Sequence, residues 1–125
     1  MILKTPMSLR TLIAATAATL CLVGPALAEL TRITDRDTFL AYVQGRELSR
    51  IGVSLLVNPD GSIAGRALGR DVTGTWVWEG GLFCRTLDAG DRQFGRNCQV
   101  VSVDGNSIRF HADQGTGDIA DFRIR

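Results

Sequence analysis

The spacing of hydrophobic positions changes period once along this chain. In "TDRDTFLAYVQG", Phe39, Leu40 and Val43 recur at helical spacing. Thr34 stands where an N-cap belongs, and Asp37 takes the place of the usual glutamate three residues on. Gly45 sits where a left-handed residue closes a helix. The pattern predicts one short helix over about Asp35 to Gln44, with an apolar face of Phe39, Leu40 and Val43.

Beyond Gly45 the period is two. Ile51, Val53, Leu55 and Val57 alternate onto one face, "NPDG" at Asn58–Gly61 turns the chain, and "SIAGRAL" returns. "GRD" at Gly69–Asp71 turns again, and Val72, Gly74, Trp76 and Trp78 share a face of the next strand. Gly80–Gly81 is a two-residue hairpin signal. "LFCRTL" leads into a polar stretch read as a long loop. "CQVVSV" then meets "SIRFHA" across Asp104–Asn106, and "QGTG" at Gln114–Gly117 precedes a last strand, "DIADFRIR". About seven strands with hairpin-like junctions make an antiparallel sheet. Gly65 and Gly74, inside strands, suit the sharp bends that closure needs. The expected fold is mainly β: a small antiparallel barrel or a strongly curved sheet, with the N-terminal helix against one end or open face.

The first 28 residues do not fit that domain. Lys4 and Arg10 precede an apolar run from Leu12 to Gly24, and Ala26-Leu27-Ala28 obeys the small-x-small cleavage rule. The run is short for a bilayer span. Leu20 before Cys21 fits a lipoprotein signal poorly. The expected organisation is a signal peptide over 1–28, cut before Glu29, and one secreted or periplasmic β domain over 29–125. No membrane span remains after cleavage. Without Lys4 and Arg10, twelve arginines face thirteen acids, a net charge of −1. That balance points to neither nucleic acid nor an anionic membrane surface as partner.

The compartment bears on the cysteines. Cys21 leaves with the leader, and Cys84 and Cys98 remain in an oxidising environment, where an even pair reads as a disulfide. Zinc requires four ligands, and His111 is the one other soft candidate. A redox-active pair is expected in a C-x-x-C spacing, which this is not. The loop from Cys84 to Cys98 spans 15 residues.

Other motifs weigh less. "GTGDIA" at Gly115–Ala120 has the letters of a dinucleotide fingerprint but no helix or βαβ unit after it. A lone copy of a calcium-turn pattern cannot fill a coordination shell, so a tight hairpin is expected there. His111, with Arg109 and Asp113, falls opposite Ile108 and Phe110 and reads as a surface residue rather than a base. Asp88 and Asp91 read as a solvated loop. Trp76 and Trp78 either line a ligand cup or fill a small core, and core packing is the expected role. Arg85, Arg92 and Arg96 cluster around the stapled stretch as a surface for an anion or a partner's carboxylates, with Asp88 and Asp91 near enough to neutralise it.

Taken together, "FLAYVQGREL", "DGSIAGRALGRDVTGTWVWEGGLFCR", "RNCQVVSVDGNSIRF" and "GTGDIADFRIR" resemble a family of small secreted bacterial proteins. Many members carry the automatic name dihydrodipicolinate reductase. The resemblance runs from about Asp37 onward and implies a small secreted domain. A reductase of that name has a Rossmann domain with a glycine-rich first turn and a separate substrate domain, and this chain has neither. The expected function is therefore a non-enzymatic, disulfide-stapled periplasmic domain, without cofactor, that binds a small ligand, an envelope component or a protein. The alternative is an enzyme, either an NAD(P)-dependent reductase or a small hydrolase.

Overall fold

The computed structural model describes residues 14–18 and 29–125. Residues 14–18 are exposed and have no regular secondary structure. The rest of the segment expected to be a signal peptide, with Cys21 and the expected cleavage site at Ala28, lies outside the described residues. Among the described residues no helix is long and apolar enough to cross a membrane.

The chain forms β1 (Thr31–Ile33), α1 (Arg36–Val43), β2 (Glu47–Arg50), β3 (Val53–Val57), β4 (Ser62–Ala67), β5 (Arg70–Glu79), β6 (Leu82–Ala89), β7 (Arg92–Asp104), β8 (Ser107–His111), α2 (Ala112–Gly115) and β9 (Ile119–Ile124). Strands β2 to β9 follow one another around an antiparallel ring, which closes where Leu48 pairs with Ile124. The result is an up-and-down barrel. β1 lies outside the ring and pairs with the C-terminal half of β7, Ile33 opposite Val101.

Closure depends on Gly65 and Gly74. A Cβ at Gly65 would sit 2.0 Å from the Ser54 carbonyl oxygen, and one at Gly74 would sit 2.2 Å from that of Thr86. Only glycine lets β4 and β5 approach their neighbours so closely.

α1 plugs one end of the barrel. Its N-cap is Asp35, not Thr34: the Asp35 carboxylate accepts from the Thr38 backbone N–H at 2.9 Å and also from the Thr38 hydroxyl. Phe39, Leu40 and Val43 are buried, as their spacing predicts. The Phe39 ring packs on Trp76, Trp78, Phe83 and Phe110, with centroids 5.1–6.4 Å apart. The core therefore gathers at the helix end, and the opposite end is left to hairpin tips.

Four further expectations are corrected. The strands number nine, because the short runs Thr31–Ile33 and Glu47–Arg50 also pair. Ile51 lies in the β2–β3 turn and is 99% exposed, so it is not part of the β3 apolar face. The polar stretch after Cys84 is not a loop. β6 and β7 run on to a tight turn at Gly90–Asp91, with Ala89 opposite Arg92. Alternation continues through that stretch, but polar outward positions and a bulge hide it in the sequence. The β8–β9 connection is likewise longer than a tight hairpin. It spans Ala112 to Asp118 and includes α2.

Cys84 and Cys98 form the disulfide. They face each other directly across β6 and β7, with Cα atoms 3.9 Å apart. The bond thus staples two adjacent strands of the ring.

Candidate functional site: the barrel lumen and its mouth

Alternation along β6 places Phe83, Arg85 and Leu87 on the inner face and Cys84 on the outer one. Around them Leu48, Leu55, Ile63, Phe110 and Phe122 complete a cavity of about 120 Å³. Its lining is apolar except for Arg85 and Gln99.

Arg85 is half-buried, and its Nη1 donates to the Gly95 carbonyl oxygen at 3.1 Å. Gly95 and Arg96 form a β-bulge in β7, since Arg85 pairs with Asn97 but Leu87 pairs with Phe94. Among the described residues the ion pairs are Arg66–Asp71, Arg96–Glu79 and Arg109–Asp121, so Arg85 is in none of them. Burial pushes its guanidinium pKa below the ordinary value, yet an arginine stays charged in a protein. The barrel therefore holds a cation against an apolar wall, with most of its five N–H donors uncommitted.

Gln99 is buried, and its side-chain amide donates to the Asn97 side-chain oxygen Oδ1 at 3.3 Å. The same oxygen accepts the Asp113 backbone N–H at 3.0 Å, and the Asn97 amide donates to the Asp113 carboxylate at 2.7 Å. β8 reaches only as far as the Val100–His111 pair, so Asn97 lies where β7 has no strand on that side. Its amide pins α2 across the slot. Asp113 and Gln114 adopt left-handed φ of 52° and 58° to fit there.

The end opposite α1 opens into a hollow of about 690 Å³. Leu55, Leu87 and Phe122 line both this mouth and the inner cavity, so the two adjoin. The rim carries Arg50, Arg70 and Arg92 together with Ile51, Leu68 and Phe94. The Arg92 guanidinium lies 5.0 Å from the Phe94 ring centroid.

The sequence-predicted site residues separate. Trp76 is buried in the helix-end core, and its indole donates to the Asn58 carbonyl oxygen at 2.9 Å. Trp78 is half-buried and donates to the Thr34 carbonyl oxygen at 3.1 Å. Neither tryptophan lines the cavity. The three arginines do not form one cluster: Arg85 lines the lumen, Arg92 the mouth, and Arg96 is ion-paired to Glu79 beside Cys98. His111 is half-buried at the end of β8.

Sequence reading missed Gln99, Arg50 and Arg70. A signal for the lumen was present in "FCRTL", where Arg85 falls between Phe83 and Leu87 on an otherwise apolar face. No family model, curated protein or solved structure matches this chain.

Proposed function

We propose that this chain is an extracytoplasmic, non-enzymatic binding protein whose barrel takes a small amphipathic acid, an apolar body bearing one anionic group. The carrying observation is Arg85, a cation without a carboxylate partner in a wall that is apolar apart from it and Gln99. Burying a charge is costly unless a partner compensates it. A bound carboxylate would accept two parallel N–H bonds from the guanidinium while its hydrocarbon fills the lumen.

The inner cavity, about 120 Å³, is close in size to apolar protein cavities of roughly 150 Å³ that admit a benzene ring. One ring or a short chain fits there, and the mouth receives the remainder. Export is supported by the leader pattern and by the disulfide, which persists outside the reducing cytosol.

Isothermal titration of the oxidised protein with octanoate, 1-octanol and octylamine tests the reading. Octanoate should bind about tenfold or more tighter than octanol, the scale of one charge-assisted hydrogen bond. Octylamine should bind least. Arg85→Met should erase the preference for the acid. Equal affinities for the three probes, or no binding of octanoate, would contradict the proposal.

A further inference from the structure

We infer that the arginine-rimmed mouth docks onto an anionic lipid bilayer, with Ile51 and Leu68 entering the interface between headgroups. The β2–β3 and β4–β5 hairpins end side by side at the mouth. The Leu68 backbone N–H donates to the Gly52 carbonyl oxygen at 2.8 Å and ties the two tips together. Each tip presents one large aliphatic side chain: Ile51 is 99% exposed and Leu68 is 82% exposed.

Leu68 is doubly out of place for a water-facing turn. It occupies the first position of the two-residue connection between Ala67 and Arg70, at φ 51°. Asparagine, aspartate or glycine suits that left-handed conformation, and an L-leucine resists it. A bilayer interface accounts for an apolar residue at this position where water does not.

Charge around the tips has the matching sign. Arg50 precedes Ile51, Arg70 follows the Leu68–Gly69 turn, and Arg92 starts the strand after the third tip. Arg66 and Arg123 line an outer cleft that also reaches Arg50 and Ile51. Of these five, only Arg66 is in an ion pair among the described residues. The nearby acids are accounted for in part: Asp71 pairs with Arg66, Asp121 with Arg109, and Asp113 accepts from Asn97. Asp91, in the third tip, Asp118, after α2, and Glu47, which lines the outer cleft, remain. Aliphatic tips set in such an arginine ring suit an interface with anionic headgroups. The near-neutral net charge conceals this clustering at one end.

Docking in this orientation sets the open mouth on the membrane, where an amphipathic acid could pass directly into the lumen. The purpose of docking thus rests on the proposed ligand class; its geometry does not.

The test is co-sedimentation of the oxidised protein with vesicles of phosphatidylcholine alone, or with about one quarter phosphatidylglycerol. Binding should be about tenfold or more stronger on the anionic vesicles and should fall as salt is raised. Ile51→Ser with Leu68→Gly should weaken it by about fivefold or more through the lost apolar insertion. Glycine suits the turn at position 68, so the variant stays folded, which an unchanged circular dichroism spectrum and an undiminished urea midpoint check. Equal binding to neutral vesicles overturns the inference, as does an unaffected double variant. So does a self-associated protein that the double variant returns to monomer in sedimentation velocity, because the tips would then join two copies. Loss of octanoate binding with vesicle binding intact would sink the lumen proposal alone.

Discussion

The Arg85 guanidinium donates to the Gly95 carbonyl oxygen, 3.1 Å away, across a β-bulge on the facing strand. The bulge turns a carbonyl toward a half-buried side chain that has no carboxylate partner among the described residues. One neutral hydrogen bond holds the cation in place without neutralising it. On the proposed binding reading, keeping such a group sacrifices stability for function. Arg85→Met should therefore leave stability unchanged or raise it by about 0.5–1 kcal/mol, while anion binding is lost. Urea melts measure the first and titration with octanoate the second. A large destabilisation would instead make Arg85 a structural strut.

The staple should be complete and stabilising. Thiol titration of the unfolded, unreduced protein should find Cys84 and Cys98 unreactive, since they are bonded to each other. Reduction should cost about 3 kcal/mol on the chain-entropy estimate for a loop of this length. Two reactive thiols in protein prepared under oxidising conditions would contradict the Cys84–Cys98 bond.

The aromatic plug should show a graded response. Trp76 is buried and Trp78 half-buried, and both touch Phe39. Trp76→Ala and Phe39→Ala should each cost about 3–5 kcal/mol, as full burial implies. Trp78→Ala should cost less. The order of urea midpoints checks this; a larger loss at Trp78 would mean that the helix sits differently on the barrel.

The turn at Leu68 makes a prediction of the opposite sign. Replacing this left-handed, exposed leucine by glycine or asparagine should raise stability by about 1 kcal/mol, because the backbone strain is relieved and few contacts are lost. A drop in the urea midpoint would show that Leu68 packs on a neighbour in solution.

Acid should loosen the fold in a defined window. Hydrogen bonds from Thr38 hold the Asp35 carboxyl below its usual range, those from Ser62 do the same for Asp60, and the Arg109 side chain does so for Asp121. In the unfolded chain these groups protonate first, near about pH 4. Their contribution is therefore present above that pH and is lost as pH falls through the lowered native values. Urea midpoints should hold from neutral pH to about 5 and then decline toward about 3. Asp35→Asn keeps a good cap and should flatten part of the decline. An unchanged midpoint at low pH would contradict the assignment.

Much of this architecture was legible because alternation is local. The helix could be read from Phe39, Leu40 and Val43, the tight turns from Gly69, Gly80 and Gly105, and the bends from Gly65 and Gly74. The closing pair, Leu48 with Ile124, could not be read, because those residues stand at opposite ends of the domain. Nor could the β6–β7 extension, whose bulge at Gly95–Arg96 breaks the period that would have revealed it. The site was legible only one residue at a time. Arg85 stands out in the sequence only with Arg92 and Arg96, as a surface cluster, and that its inner face encloses a cavity follows from closure of the ring. Arg50, Arg70 and Arg92 come from three separate hairpins and meet only at the finished mouth.

The lumen is tested most directly by methyl-resolved NMR of the oxidised protein titrated with octanoate. Shifts should centre on the methyl groups of Leu55, Ile63 and Leu87 and on the Arg85 side chain, with nuclear Overhauser contacts from the octanoate chain to Phe110 and Phe122. Saturating octanoate that leaves those signals unmoved, or that moves only residues of the outer face, would contradict a binding barrel.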